Sequence, residues 1–155
     1  MKILLATDGS LYSDAAVEKV ANRLFHPGTE VRIVSAFQST GIIVSVQAPM
    51  GALAGAYDEA DAHAQKLAED AVNVAYETIK EKNPALSIST KVINASAKHA
   101  ILNEADEFDA DLIVVGSHGQ SGLSRFLLGS VSQAVALHAN CSVEIVRKHC
   151  LQESR

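Results

Sequence analysis

The sequence predicts an α/β fold, namely a doubly wound five-stranded parallel sheet of order 3-2-1-4-5 with helices on both faces. Three observations support this fold class. Short apolar runs alternate with segments of helical periodicity along the 155 residues, as in successive βαβ units. The most hydrophobic run, at 112–115, has the continuous apolar character of a strand buried on both faces. The spacing of the runs leaves room for right-handed crossover helices between parallel strands.

The first half of the chain predicts two strands and two helices. An apolar run at 3–6 ends in turn residues and predicts the first strand. Helical spacing of apolar residues from Ser13 to Leu24 predicts the first helix, which the sequence His-Pro-Gly ends. The second strand is predicted at 31–37, and a long amphipathic helix at 58–82. The apolar positions expected near one face of that helix are Ala60, Ala64, Leu67, Ala71, Val74 and Ile79.

The second half predicts three strands and two helices. Polar and apolar residues alternate over 87–93, which indicates a half-exposed strand toward a sheet edge. The strand at 112–115 is expected at the centre of the sheet and ends at Gly116. A helix that begins at Ser130 precedes the last strand, at 142–146. The residues that the third and fourth helices are expected to bury are Ile101, Leu102, Ala105, Phe108, Val131, Ala134, Val135 and Leu137.

Length and composition predict one domain over 1–148 and a polar tail at 149–155. The segment 38–57 has no periodicity and is interpreted as a mobile flap. The net charge is −5 and no lysine or arginine cluster occurs, so no nucleic-acid partner is expected. Because the sequence has neither a membrane-length apolar run nor a signal-peptide pattern, we expect a cytoplasmic protein with no membrane partner. Cys141 and Cys150 are expected to be free thiols.

The segment from Gly116 to Ser130 has the composition of a phosphate-binding loop. Gly116, Gly119 and Gly122 let the backbone turn and approach a ligand closely, and several serines offer hydroxyl groups. Ser130 stands where a helix begins, so free amides and the helix dipole favour an anion there. The loop has neither the Gly-Lys-Ser/Thr of a Walker A motif nor the GxGxxG of a dinucleotide site. A flexible connection that needs small residues is the competing interpretation.

Three side chains near the ends of the first and fourth strands have alternative interpretations. Asp8, after the first strand, is a candidate ligand for a ribose hydroxyl or Mg²⁺, and its alternative role is a helix cap. Arg125 either covers a terminal phosphate or points into solvent. His118 is assigned a backbone-supporting role, because the sequence places no orienting carboxylate beside it. No two histidines have the spacing of a transition-metal site.

Spaced motifs along the chain resemble the universal stress protein family. Gly116 and Gly119 are separated by two residues, and nine residues then precede Gly129 and Ser130, as in the ATP-binding signature of that family. This spaced match extends beyond the loop to both ends of the chain. The other segments that resemble the family pattern are 6–10, 109–119 and 138–146.

The resemblance implies that the chain binds ATP with Mg²⁺. In the nucleotide-binding branch of the family, Ala6, Thr7 and Asp8 would line the adenosine end, with Asp8 near the ribose or the metal. Ala36, near the end of the second strand, would contact adenine. The residues expected to bind the ligand are Ala6, Thr7, Asp8, Ala36, Gly116, Ser117, His118, Gly119, Gln120, Ser121, Gly122, Arg125, Gly129, Ser130, Val131 and Ser132, with Asp8 as the metal ligand.

Two functional hypotheses follow. In the first, the protein is a nucleotide-responsive binding module in stress response: ATP orders the loop at 117–129, and a partner protein recognises that state. The alternative is a slow ATPase or phosphotransferase, although no residue stands out to position water or an acceptor. We therefore expect a non-enzymatic protein with weak ATP hydrolysis at most. Homodimerisation through the edge strand at 142–147 is also expected.

Two other protein classes with this topology fit the sequence less well. A phospho-receiver domain needs an acidic pair after the first strand and an acceptor aspartate after the third. Here Asp8 stands alone and the third strand ends at Asn94. A flavodoxin-like protein would place its phosphate loop after the first strand and aromatic residues around the flavin, whereas this chain has no tryptophan.

Overall fold

Strands and helices alternate along the described chain, as the sequence predicts. The computed structural model describes residues 1–39, 54–120 and 127–148, with the backbone alone for 54–57. Most of the predicted flap and the tail at 149–155 lie outside the described residues. The strands are β1 (Lys2–Ala6), β2 (Glu30–Phe37), β3 (Ser87–Asn94), β4 (Leu112–Gly116) and β5 (Ser142–Val146). The helices are α1 (Leu11–Ala21), α2 (Ala54–Lys82), α3 (Ala97–Glu107) and α4 (Ser130–His138).

The sheet has the predicted topology. Its strands are all parallel and lie in the order β3-β2-β1-β4-β5. In the central strand, Leu4 lies opposite Arg32 of β2 on one side and opposite Ile113 of β4 on the other. The strand order therefore reverses between β1 and β4, and a crevice forms beyond their carboxyl ends.

Apolar side chains fill both faces of the sheet. Leu5 of β1 packs with Val20 of α1 and Ile79 of α2 on one face. Leu4 packs with Val135 of α4 on the other, because successive side chains of a strand point to opposite faces. All five are at most 1% exposed, and each such buried aliphatic side chain stabilises the fold by about 1.5–3 kcal/mol. The two cores therefore hold α1 and α2 on one face, and α3 and α4 on the other.

Several apolar residues assigned to buried helix faces are exposed. Leu24 is 97% exposed because α1 ends at Ala21, before this position. Leu67 and Val74 of α2 are 50% and 62% exposed, and Leu137 of α4 is 70% exposed. The residues that α2 buries are Ala68, Ala71, Val72, Ala75 and Ile79. The described residues contain no helix that combines the length and apolar character needed to cross a membrane.

A buried carboxylate joins α3 to the β2–β3 side of the sheet. Glu104 is 1% exposed, and its Oε1 accepts a hydrogen bond from Arg32 Nη1 at 2.7 Å while its Oε2 pairs with Lys91. The Arg32 guanidinium also lies over the Phe108 ring, 4.1 Å from the centroid. Because a buried carboxylate requires charged or hydrogen-bonding partners, these contacts fix where α3 lies on the sheet.

Replacing this carboxylate tests its role. Glu104→Gln keeps the side-chain volume but removes the buried negative charge with which both cations pair. Arg32 and Lys91 are 29% and 44% exposed and keep some water contact, so we expect a loss of about 2–3 kcal/mol, less than for a fully buried pair. Urea unfolding measures this change in the free energy of unfolding. The matched control Glu107→Gln removes an exposed partner of the same lysine and should cost about 0.5 kcal/mol or less. Equal losses in the two variants would contradict this account.

Candidate functional site

The candidate site lies at the reversal of strand order, between the loops that follow β1 and β4. Gly116 ends β4 so close to α1 that a Cβ atom there would lie 2.6 Å from the Tyr12 carbonyl oxygen. The Ser132 hydroxyl of α4 donates to the Gly116 carbonyl at 2.6 Å. The Ser117 amide donates to the Val146 carbonyl at 2.8 Å. The contacts therefore bring the ends of β4 and β5 together with the starts of α1 and α4 around Gly116. Only glycine leaves enough room for this close approach.

Asp8 is held in a turn after β1. Its Oδ1 accepts a hydrogen bond from the Ser10 amide at 3.0 Å, and its Oδ2 accepts one from the Gln120 amide at 3.0 Å. The Gln120 side-chain amide donates to the Asp8 carbonyl at 2.9 Å. The N-cap of α1 is Ser10, not Asp8, because the Ser10 hydroxyl accepts from the Ser13 amide at 3.2 Å. We call the paired hydrogen bonds between Asp8 and Gln120 the Asp8–Gln120 latch.

The last part of the glycine-rich loop closes onto its first part. The Gly129 amide donates to the Ser117 carbonyl at 2.8 Å. A Cβ atom at Gly129 would lie 3.1 Å from the His118 Cα, and one at Gly119 would lie 2.7 Å from Asp8 Oδ2. Both glycines are therefore closely packed within the protein itself, apart from any approach to a ligand, and a Cβ at Gly119 would displace the end of the Asp8 side chain.

The N-terminus of α4 faces this loop without a cap. Gly129 is the N-cap residue, and no side chain in the described ranges hydrogen-bonds to the cap amides. The first turn of α4 contains no acidic residue. Because the first amides of a helix lack acceptors within the helix, those of Ser130, Val131 and Ser132 are available to an anion, which the helix dipole also attracts.

A cavity of about 390 Å³ opens between the two loops, and we call it the switch-point cavity. β1 lies between β2 and β4, so the apolar side chains of Val34 and Ala36 on β2 lie on one side of it and the start of α4 lies on the other. One wall is therefore apolar and the opposite wall carries free amides. The predicted residues that line the cavity are Ala6, Thr7, Asp8, Ala36, Gly116, His118, Gly119, Gln120, Gly129, Ser130, Val131 and Ser132.

Four predicted residues are not among these walls. Ser117 is 3% exposed and lies outside the cavity lining, where it supports the loop. Ser121, Gly122 and Arg125 lie outside the described residues. The wall residues that sequence reasoning missed are Ser13, Val34, Ala97, Ile101 and Val115. A signal for them existed, because parallel strands end at one edge of the sheet and the ends of β2 and β3 belong to the same crevice.

His118 lines this cavity and has a buried ring nitrogen without a hydrogen-bond partner in the described residues. Its ring packs on Tyr12 with the centroids 5.0 Å apart, and its Nδ1 lies 3.1 Å from the Ser117 hydroxyl. That buried nitrogen is Nε2. Since buried polar atoms are nearly always paired, Nε2 is a candidate contact for a ligand atom.

A divalent cation fits the cavity only together with a ligand. Asp8 is the single carboxylate among the lining residues, and the described residues contain no group of three or more His, Cys, Asp or Glu that could hold a metal. Each Asp8 oxygen accepts one amide hydrogen bond and keeps further acceptor capacity. This donor set suits Mg²⁺, which proteins commonly bind through one carboxylate, phosphate oxygens and waters.

Negative charge collects next to Asp8 on the first two turns of α1. Partial burial raises the pKa of Asp14 above its ordinary value, and the nearby Asp8 carboxylate raises it further. Lys148 lowers the pKa of Asp14, and Glu18 makes the smallest contribution, which raises it. Asp8 therefore carries its charge in a region that is already negative.

A comparison with protein families decides where the chain belongs. The family model described as "Universal stress protein family" matches residues 1–147. The chain belongs to the universal stress protein family. Among its relatives, universal stress protein YxiE of Bacillus subtilis (strain 168) is 36% identical over 157 aligned residues, which cover 94% of this chain and 98% of the relative.

Solved structures of universal stress proteins share the fold. UspA from Lactobacillus plantarum superposes with a TM-score of 0.71 at 26% identity, covering 95% of this chain and 97% of the other. A universal stress protein solved in complex with cAMP superposes with a TM-score of 0.63 at 26% identity, covering 95% and 96%. The predicted fold and family are therefore confirmed.

The coupling between Asp8 and Asp14 can be measured directly. In Asp8→Asn, the pKa of Asp14 should fall, because the largest like charge that raises it is removed. In Glu18→Gln, the pKa of Asp14 should fall by less, because Glu18 contributes less. NMR titration of the Asp14 side-chain carboxyl carbon gives the pKa of Asp14 in the wild-type protein and in both variants. An unchanged or higher pKa of Asp14 in Asp8→Asn would refute the coupling.

Proposed function

We propose that this universal stress protein binds ATP with Mg²⁺ in the switch-point cavity and acts as a nucleotide-responsive regulatory module in stress response. The observation that carries the proposal is that the uncapped N-terminus of α4 opens onto a cavity whose opposite wall is apolar. A nucleotide has both matching parts, an anionic phosphate chain and a flat, largely apolar base. Its two ends would therefore occupy the two unlike walls.

The phosphates are assigned to the start of α4. The amides of Ser130, Val131 and Ser132 have no helical acceptors, and the helix dipole stabilises negative charge at this point. The overall charge of −5 does not attract anions, so binding depends on these local donors. His118 Nε2 adds one further donor when its ring carries hydrogen on that nitrogen.

The adenosine end is assigned to the wall formed by β1, β2 and α3. Ala6, Val34, Ala36 and Ile101 present small and branched apolar side chains to the cavity. The described lining residues include no phenylalanine, tyrosine or tryptophan, so adenine would be held by apolar contact rather than by aromatic stacking. Burial of the base against these side chains removes apolar surface from water.

Binding of Mg²⁺ would alter the Asp8–Gln120 latch. The cation would approach Asp8, whose Oδ2 accepts a hydrogen bond from the Gln120 amide. Sharing that oxygen weakens the hydrogen bond that holds the first part of the glycine-rich loop. The ligand thus has a different affinity for the latched and unlatched loop, which is the condition for shifting a conformational equilibrium.

The comparison with solved structures supports an adenine nucleotide as the ligand. The relative solved with cAMP shares the fold and 26% sequence identity over nearly its whole length. A regulatory role is proposed over an enzymatic one because His118 Nδ1 pairs with the Ser117 hydroxyl rather than with a carboxylate. That histidine therefore lacks the orienting partner that a general base usually has.

Calorimetric titration of nucleotide-free protein with Mg-ATP tests the proposal. Ser130→Asp puts a carboxylate at the first residue of α4, where it repels phosphate but interacts favourably with the helix dipole. We expect binding to weaken by about a hundredfold, while the free energy of unfolding stays equal or rises by up to about 1 kcal/mol. The neutral control Ser130→Asn should keep nearly normal affinity. Undiminished affinity in Ser130→Asp would refute the placement of the phosphates.

A second set of titrations distinguishes the binding of the adenosine end of the ligand from the binding of its phosphates. Ala36→Leu fills the apolar wall and should weaken Mg-ATP while leaving inorganic triphosphate bound, whereas Ser130→Asp should weaken both. Ala62→Leu makes the same change on an exposed position of α2 and should alter neither. If Ala36→Leu weakened triphosphate as strongly as ATP, the adenosine assignment would be wrong.

We also propose that β5 pairs with a second copy to form a homodimer. β5 is an edge strand, with β4 as its one neighbour in the described sheet. The Val146 carbonyl accepts from the Ser117 amide, so it faces β4. Since backbone groups alternate sides along a strand, those of Val143 and Ile145 face outward and are available to a partner strand.

Sedimentation velocity tests the edge pairing. Ile145→Pro removes an outward amide without removing an inward one, and edge strands tolerate proline. We expect this variant to be monomeric. Ile145→Ala loses comparable packing but keeps the amide, so it should remain dimeric. A dimeric Ile145→Pro variant would show that the interface lies elsewhere.

A further inference from the structure

A second concave surface lies between α1 and α2, which we call the α1–α2 groove. Its volume is about 480 Å³, larger than that of the switch-point cavity. It is lined by residues of α1, of α2 and of the loops after β1 and β4, among them Asp14, Val17, Leu67, Asp70 and Val74. The proposed nucleotide site does not account for most of these residues.

The apolar part of the groove includes the exposed residues of α2. Leu67 and Val74 are 50% and 62% exposed and stand seven residues apart, about 10 Å along the helix. Val17 of α1 and Ala71 of α2 form the deeper part of the same surface. Two large apolar side chains at heptad spacing above a small-residue floor resemble the receiving surface for the apolar face of another helix.

The rim of the groove is acidic. Four of its thirteen lining residues are acidic and none is basic. Two of these carboxylates pair with lysines at the outer edge, since Asp70 pairs with Lys66 at 2.6 Å and Glu18 pairs with Lys82. Asp14 forms no ion pair within the described residues; burial and then Asp8 raise its pKa, while the charge of Lys148 lowers it. The charge of the groove thus complements a cationic partner.

The groove and the switch-point cavity share a wall. Thr7, Asp8 and Gln120 line both, and the Asp8–Gln120 latch forms part of the boundary between them. A change in the latch therefore changes the surface of the groove. This link to nucleotide rests on the proposed function, whereas the shape and charge of the groove do not.

We propose that the α1–α2 groove binds a basic amphipathic helix of a partner protein. The apolar face of that helix packs on Leu67, Val74 and Val17, and its lysine or arginine side chains meet Asp14 and Asp70. Apolar contact provides most of the binding energy, and the carboxylates orient the helix and exclude acidic partners. Through the latch, bound nucleotide alters the affinity for the partner, and the partner alters the affinity for nucleotide equally.

Fluorescence anisotropy with a model peptide tests the groove. The probe is a labelled peptide of leucine and lysine whose leucines recur at helical spacing, and its control is a scrambled peptide of the same composition. We expect the nucleotide-free protein to bind the amphipathic peptide more tightly than the scrambled one. Asp14→Asn with Asp70→Asn should weaken binding by about tenfold. Glu77→Gln neutralises an exposed carboxylate of α2 outside the groove and should have no effect.

Val74→Asp separates groove binding from general charge attraction. It adds negative charge but removes an apolar contact, so groove binding predicts about tenfold weaker peptide affinity. Unchanged or tighter affinity, or equal binding of the scrambled peptide, would overturn the proposal. If Val74→Asp instead abolished self-association in sedimentation and the peptide did not bind, the groove would be an interface between copies of this chain, which would also overturn it.

Adding Mg-ATP tests the link through the latch. We expect the peptide affinity to change by about fivefold or more, a typical allosteric coupling. If calorimetry detects Mg-ATP binding but the peptide affinity is constant, the latch does not connect the sites and that part of the proposal is wrong. If Mg-ATP does not bind at all, the proposed function fails, and the peptide result for nucleotide-free protein still decides the groove.

Discussion

β1 and β4 pair side by side at the centre of the sheet, from Ile3 opposite Leu112 to Leu5 opposite Val114. Both strands are buried on both faces, so a slip in their register would move apolar side chains out of the two cores. The fixed register places the residues that follow the two strands next to each other. The contacts of Asp8 with Gln120 and of Gly116 with α1 depend on this pairing, because it brings the first residues of the chain beside the last third of it.

Two glycines at and just after the carboxyl end of β4 are closely packed beside the switch-point cavity. Gly116 has no room for a Cβ beside the first turn of α1, and Gly119 has none beside Asp8. Glycine at these positions therefore serves the protein's own packing as well as any approach of a ligand. The two interpretations of the glycine-rich loop are not exclusive, since the contacts at the two ends of the loop also position the free amides at the start of α4 for an anion.

Asp8 links the charge of the site to its conformation. Its carboxylate accepts two backbone amides, one within its own turn and one from the start of the glycine-rich loop. It also lies near Asp14, whose pKa is raised first by partial burial and then by the Asp8 carboxylate. A cation near Asp8 would relieve this repulsion and compete for the same oxygen atoms. One side chain thus borders both the switch-point cavity and the α1–α2 groove, and the state of its hydrogen bonds affects both surfaces.

The sequence by itself determined the alternation of strands and helices, the parallel sheet and the place of the glycine-rich loop, because these follow from local periodicity, turn residues and the handedness of βαβ units. It did not determine which face of α2 is buried. That helix is rich in alanine, which suits either environment, so its pattern does not distinguish the exposed Leu67 and Val74 from the buried Ala68 and Ala75. Only the tertiary structure decided the Asp8–Gln120 latch and the walls supplied by β2 and α3, because these contacts join residues far apart in the chain and depend on how the layers pack.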